Sequence, residues 1–291
     1  MDRRKNGQSV ARMAMAVALT GALLSCTTKP NQPSKTDSNS SMPTAEVGAD
    51  AVADSIPLYV RCLMEAYPDH IIGYADNNIY WSDSTTMTYD DGLEKSAVER
   101  MDNADIEDMS LWVYPDAVEP FNDAGRIRSE AFFKKMYGSS RGEMNKHLTT
   151  IVWCPNLVGQ RLQISTVNGV DKQLQKVSDE LDLHPEWKAY ISGPSTVNWR
   201  VVAGTNRLSP HSYGITIDMG VAQSNYWKWD HPKASETDTI DYRNKFPAEL
   251  VAIFEKHGFI WGGRWYHYDN MHFEYRPEIL LYRERMGGSR D

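Results

Sequence analysis

Polar and apolar positions divide the chain into three stretches. From Met13 to Leu24 it is nearly continuously apolar. From Thr27 to Ala49 it is rich in Ser, Thr, Asn and Pro, with almost no large apolar residue. From about Asp54 apolar residues recur at regular spacing. There Ser55 and Pro57 stand at a helix start, and Ile56, Val60 and Leu63 follow at helical intervals. Residues 71–90 alternate polar and apolar and predict a hairpin turning at Asn77-Asn78. A helix is predicted over 127–137, closed by Gly138. After Asn168, the residues Val170, Leu174, Val177 and Leu181 form the apolar stripe of an amphipathic helix. Arg161–Ser165, Arg200–Ala203 and Ile215–Met219 read as strands. Pro247 opens a helix carrying Leu250, Val251 and Phe254, which Gly258 ends. A last strand runs through Phe273, and Pro277 opens a C-terminal helix. Helices and strands interleave without a βαβ rhythm, no Gly-x-Gly-x-x-Gly is present, and no repeat is visible. These features predict an α+β domain rather than a doubly wound sheet.

The same pattern assigns the front of the chain. Arg3, Arg4, Lys5 and Arg12 precede an apolar run of 12 residues. That is too short to span a bilayer, which takes about 20, and it reads as a secretory signal over residues 1–25. Its end, Leu23-Leu24-Ser25-Cys26, resembles a bacterial lipobox, in which the cysteine thiol receives diacylglycerol. A plain signal peptide with an incidental cysteine is the alternative. Residues 26–53 cannot bury enough surface to fold and predict a disordered tether. Residues 54–119 predict an N-terminal extension or subdomain with no motif of its own, and 120–291 hold the chemistry. A lipid anchor on Cys26 places the protein at a membrane. Thr27 rather than Asp after the cysteine points to the outer membrane, facing the periplasm or the cell exterior.

Charge narrows the partners. The formal net charge is −8 over 291 residues. Four basic residues and one acidic residue precede Cys26, so a chain cut there carries −11. No basic stripe is available for phosphates, which argues against nucleic acid. Three cysteines exclude a disulfide scaffold, and no Cys-x-x-Cys offers a thiolate metal site. In an oxidising compartment Cys62 and Cys154 could pair or stay as buried thiols. Asp102 to Asp108 lacks the glycine of a calcium loop and reads as a solvated acidic segment.

Two segments have the residue types of a metal site. In Ser209-Pro210-His211-Ser212-Tyr213-Gly214-Ile215-Thr216-Ile217-Asp218, apolar Ile215 and Ile217 alternate with Thr216 and Asp218, and His211 stands on the turn leading in. In Trp265-Tyr266-His267-Tyr268-Asp269-Asn270-Met271-His272-Phe273-Glu274, Asp269 precedes His272 by three. A zinc hydrolase needs three protein ligands, an open position and a nearby carboxylate. His211, Asp218 and His272 supply the ligands, and Asp269 is the spare carboxylate. Taken singly, each of these residues has an ordinary structural role.

Together and in this order they resemble the zinc peptidases that include D-alanyl-D-alanine carboxypeptidases, phage L-alanyl-D-glutamate endopeptidases and vancomycin-resistance D,D-dipeptidases. The signature there is Ser-x-His-x-x-Gly-x-Ala-x-Asp, followed later by Asp/Glu-x-x-His. Residues 209–218 match it with Thr216 in place of Ala, and 269–272 match the second part; the likeness covers roughly 120–291. The resemblance implies a hedgehog-like fold, a small mostly antiparallel sheet flanked by helices, with one zinc ion on His211, Asp218 and His272. It further implies Asp269 as general base, with Arg200 beside the substrate carbonyl and Ser209 and Trp265 lining the substrate cleft. Glu274 shares a strand face with His272 and reads as a support for it rather than as merely part of the strand, and His267 reads as packing or support. The run Tyr226 to His231 reads as an aromatic loop over the cleft. Asp123, Arg126 and Arg128 read as an ion pair fixing the start of the domain, without a catalytic role. The implied substrates are peptidoglycan stem peptides, cut as a D-Ala-D-Ala carboxypeptidase or an L-Ala-D-Glu endopeptidase cuts them. The alternative from another class is a non-catalytic, zinc-containing wall-binding lipoprotein, and the presence of Asp269 favours the enzyme.

Overall fold

In the computed structural model, which describes residues 55–287, the chain opens on helix α1 (Leu58–Ala66). The signal segment, Cys26 and the tether lie outside the described residues. Pro57 caps α1 without a side-chain hydrogen bond, and Tyr59, Val60, Cys62 and Leu63 face inward. Strands β1 (Ile71–Ala75), β2 (Asn78–Trp81) and β3 (Thr86–Thr88) follow as an antiparallel meander. The first turn is Asp76-Asn77, both at positive φ (49° and 59°), with Ala75 paired to Asn78. It lies one residue earlier than the sequence suggests, because a two-residue hairpin turn of this hand needs both central residues left-handed, and Asp and Asn tolerate that. Helix α2 (Ala97–Asp102) is started by a reciprocal capping box between Ser96 and Glu99. The acidic stretch after it is not simply solvated. Lys95 enters it, 2.8 Å from Asp108 and 2.6 Å from Asp91, and takes the place a cation would occupy.

Helix α3 (Glu130–Tyr137) ends at Gly138, whose φ of 117° brings the chain against Met144, where a Cβ would clash with backbone at 2.7 Å. Helix α4 (Arg141–Asn145) leads to β4 (Leu148–Trp153), which pairs with β5 (Gln160–Ser165). β4 has no counterpart among the predicted strands, although Thr149-Thr150-Ile151-Val152-Trp153 is a β-branched and aromatic run. Helix α5 (Val170–Leu181) starts after two left-handed residues, Asn168 and Gly169, and buries the predicted stripe. Helix α6 (Lys188–Ile191) is a single turn. Arg200–Ala203 is not a strand. It makes one bridge, Val201 to Leu208, across a tight turn, so the alternation there belongs to a loop with no sheet edge to join.

The remaining elements are β6 (Thr216–Asp218), α7 (Trp227–Asp230), α8 (Ala248–Lys256), β7 (Phe259–Trp261), β8 (His272–Tyr275) and α9 (Pro277–Met286). The third sheet runs β6-β8-β7, antiparallel throughout. The fold is thus α+β, three small antiparallel sheets among helices. One apolar cluster joins Tyr59, Leu63, Ile79 and Met109 to Phe132, Leu174, Phe254 and Phe273, so residues before 119 share the core of those after it. Cys62 and Cys154 are both free and buried. Cys62 faces the Arg285 guanidinium, Cys154 faces Ser178, and they form no disulfide. Among the described residues no helix is long and apolar enough to cross a membrane.

Candidate metal centre and its cleft

The β6–β8 ladder sets the site. Asp218 lies directly opposite His272, and Thr216 opposite Glu274. Since side chains alternate across a strand, Ile217 and Phe273 take the other face, where Phe273 stacks on Phe254 at 3.9 Å between ring centres. Just before β6, the turn Pro210–Tyr213 carries His211 and ends at Gly214 with φ 66°. A Cβ on Gly214 would press Leu148 and the Ser165 backbone at 3.1 and 3.3 Å, so the residue permits both the left-handed bend and the close pass of β5.

Three groups converge. His211 Nε2 is 3.1 Å from one oxygen of Asp218, and His272 Nδ1 is 2.9 Å from the other. Each ring is pinned at its far nitrogen. His211 Nδ1 donates to the Thr196 carbonyl at 2.5 Å, and His272 Nε2 donates to Glu274 at 3.3 Å. A carbonyl and a carboxylate can only accept, so in the neutral imidazoles the nitrogens facing Asp218 carry lone pairs. Lone pairs meeting carboxylate oxygens require a positive charge between them, either a proton on each ring or a metal cation. The donor atoms lie within 4.8 Å of one another, and two imidazoles with one carboxylate form a donor set suited to zinc. The electrostatics agree. Burial would raise Asp218, but the hydrogen bonds from His211 and His272 hold its carboxyl well below the ordinary range. Burial would lower His272, yet its bonds to Asp218 and Glu274 raise it to about 9.

Asp269 stands beside this set on a loop tied at several points. Its N–H donates to the Gly262 carbonyl at 2.9 Å, Trp261 Nε1 holds the Asn270 carbonyl at 2.8 Å, and Tyr226 bridges to it. Gly262 is required there, since a Cβ would meet the Asp269 carbonyl at 2.7 Å. Asp269 is half-buried, and its Oδ1 is shielded without a hydrogen-bond partner. Burial, then the charge of Asp218, pushes its carboxyl up to about 6.

Glu274 has no exposed surface and sits between cations. Arg128 Nε and Nη2 reach it at 2.9 and 2.5 Å, and Arg276 at 3.2 Å. Arg276 also holds Glu278 at 2.6 Å, and Glu278 accepts from Tyr67 at 2.5 Å. A buried polar chain therefore runs from the end of α1 to the ring of His272. Burial would raise Glu274, but Arg128 and the bond to His272 keep it far below the ordinary carboxylate range.

The cleft over these groups encloses about 310 Å³. Ser209 and Trp265 line it, as do Arg200, Tyr226, Trp227 and Trp229. Both Ser209 and Trp265 are nearly inaccessible, and the Trp265 ring lies 5.6 Å from that of His272. Trp229 is 57% exposed at the rim. Arg200 is exposed, and its guanidinium reaches only the neighbouring Val201 carbonyl; among the described residues it has no carboxylate partner. Arg126 and Arg128 also reach the cleft. The expected Asp123–Arg126 pair forms at 2.9 Å, but Arg128 turns instead to Glu274. The signal for them was two arginines one residue apart in an acidic chain, at the point where a helix was expected to begin. His267 donates its backbone N–H to Asp123, pairs with it through Nδ1 at 2.7 Å, and packs on Trp227. Asp123, Glu236 and His267 are close enough to hold a metal, but Arg126 already bridges both carboxylates.

Residues 203–275 match the family model described as D-alanyl-D-alanine carboxypeptidase. The matched span holds His211, Asp218, Asp269, His272 and Glu274, and leaves out Tyr67, Arg126, Arg128 and Arg200. The match supports a peptidase. No curated protein and no solved structure was found to match the chain.

Proposed function

We propose, with the likeness of residues 203–275 to D-alanyl-D-alanine carboxypeptidases as the premise, that the chain is a zinc-dependent peptidase acting on peptidoglycan stem peptides. One observation carries the reading: two imidazoles, each pinned from behind, present lone pairs to the two oxygens of Asp218, beside the Asp269 carboxylate, one oxygen of which is shielded and has no hydrogen-bond partner among the described residues. A zinc ion on His211, Asp218 and His272 would supply Lewis acidity toward the scissile carbonyl and bring the ionisation of water near neutral pH. Asp269 is the proton acceptor. It is held on a rigid loop, faces the cleft, and can pass the proton to the departing amine. Thr196 and Glu274 keep the imidazoles from rotating, which fixes the position of both ligating nitrogens. Arg200, exposed at the cleft and without a carboxylate partner among the described residues, would receive the terminal carboxylate of a peptide. This role suits its position better than the carbonyl contact implied by resemblance, because an exposed guanidinium stabilises a buried oxyanion poorly. It also favours the carboxypeptidase over the endopeptidase. Lipid attachment at Cys26 would hold the enzyme at the outer membrane, beside the wall.

The test is digestion of purified muropeptides by the secreted chain from Thr27 onward, with zinc and with a chelator, read by mass spectrometry. Loss of one terminal D-Ala in the zinc sample alone is expected, and Asp269→Asn should retain the metal and lose at least about a hundredfold in rate. A cut between L-Ala and D-Glu would make it an endopeptidase. Stoichiometric zinc without any cleavage would leave the non-catalytic wall-binding lipoprotein.

A further inference from the structure

A second hollow adjoins the cleft. It encloses about 640 Å³, twice the space over the metal ligands, and Arg126, Arg128, Val202 and Arg207 line both. Its far wall is the end of α2 and the turn after it, Met101–Ala104, so the segment before residue 119 helps to build it. Three guanidiniums meet there in a chain whose overall charge is negative.

The three are not equivalent. Arg126 is balanced from behind by Asp123 and by both oxygens of Glu236, and Arg128 by Glu274. Their charges are fixed in place, with most of their donors engaged. Arg207 donates Nη1 to the Met101 carbonyl at 3.1 Å. Its Nε is shielded and lies 3.1 Å from Asp102, but makes no aligned hydrogen bond among the described residues. Asp102 is itself largely exposed, its side chain at 57%. Burial lowers the pKa of Arg207, and the charges of Arg128 and Arg126 push the same way against Asp102. Glu130 also lines the hollow, but it is engaged by Lys134 at 2.6 Å and by the Leu208 N–H at 3.1 Å. Crowded guanidiniums with unengaged donors are relieved by an anion placed among them.

We propose that this hollow is an anion subsite, centred on Arg207, that takes a free carboxylate of the peptide substrate lying some residues before the bond that is cut. The proposal rests on the peptidase reading and adds to it a preference: acidic peptides over neutral ones of the same shape. Arg200 and Arg207 then divide the work, the first taking the terminal carboxylate and the second a carboxylate further back. The residues before 119 acquire a function, since Met101 and Asp102 position Arg207.

Short peptides ending in D-Ala-D-Ala test this, made in pairs that carry Glu or Gln at the second or third residue before the scissile bond. With the detergent-solubilised full chain, the Glu peptide of at least one pair should show a KM about tenfold below its Gln partner, at similar kcat, since a charge-assisted hydrogen bond is being gained. Arg207→Gln should bring that ratio close to one, and Arg207→Lys, which keeps the charge but not the fork, should keep part of it. The ratio compares two substrates on one protein, so a variant with less folded material still reads correctly. Equal KM values for every pair, or a ratio that persists in Arg207→Gln, would overturn the subsite. Should no peptide be cut, the carboxypeptidase reading fails by itself. Calorimetric affinities of the same pairs, wild type against Arg207→Gln, would then decide the subsite on the same ratio.

Discussion

Thr216 lies in β6 directly opposite Glu274, with no exposed surface and with its hydroxyl oxygen unpartnered. A buried hydroxyl without a partner forfeits its hydration and gains nothing in return. Replacing it by a residue of the same shape should therefore help. Thr216→Val is expected to raise unfolding free energy by about 1 kcal/mol in urea titrations, and a loss of stability would show that the hydroxyl has a partner. Asp123 makes the opposite case. Burial works against its charge, but Arg126 and His267 hold its carboxyl at about 2, below the ordinary 3.8. A depressed acid stabilises the fold above its unfolded value and loses that contribution as pH falls toward the folded value. Between pH 4 and pH 2 this residue should therefore remove about 2 kcal/mol of stability. Stability measured across that window should fall less steeply in Asp123→Asn than in the wild type. Parallel curves would mean that Asp123 does not titrate there.

Elements were legible where a local rule decided them. The stripe of α5, the Pro and Gly that bound α8, and the Pro that opens α9 need only the chain's own periodicity and caps. The candidate metal set was legible because both halves are short local motifs, although only the β6–β8 register makes Asp218 face His272. What escaped depends on contacts distant in sequence. The 200–203 stretch alternates like a strand but finds no edge. Arg128 finds Glu274 146 residues away. Tyr67 finds Glu278 211 residues away, and no spacing rule reports that. The boundary near residue 119 is likewise a matter of composition rather than packing. Helix α1 lies against α9, Tyr59 meets Tyr282 edge-on at 5.3 Å, and Tyr67 and Trp81 flank Phe132. A chain beginning at residue 120 would expose Phe132 and leave Glu278 without its hydroxyl donor. It is expected to lack a cooperative thermal transition. In the full chain, Leu63→Ala, at a position with no exposed surface, should cost about 3 kcal/mol. A sharp transition in the truncated chain would make residues 54–119 a separable cover.

For the molecule as a whole, the proposed metal ligands and their supports come from distant parts of the chain. The 210–213 turn, β6 and β8 provide the ligands, while Thr196, Arg128, Arg276 and, through Glu278, Tyr67 hold them in place. A cation bound by such a set binds the folded chain and has little hold on the unfolded one. Its affinity therefore adds to folding stability by mass action, about 2.7 kcal/mol at a hundred times its Kd. For a domain of this size that corresponds to a rise in Tm of roughly 5–10 °C. Zinc added to chelator-treated protein should produce that shift, and His211→Ala and His272→Ala should abolish it. Asp269→Asn should keep it, because the proposed role of Asp269 is to move a proton and not to hold the ion. The two classes of variant separate binding from chemistry without any substrate. A shift that survives in His272→Ala would place the ion elsewhere, and the trio of Asp123, Glu236 and His267 would then be the next set to examine, with Arg126 displaced from it. A shift lost in Asp269→Asn would make that carboxylate a ligand and leave the cleft without a free base.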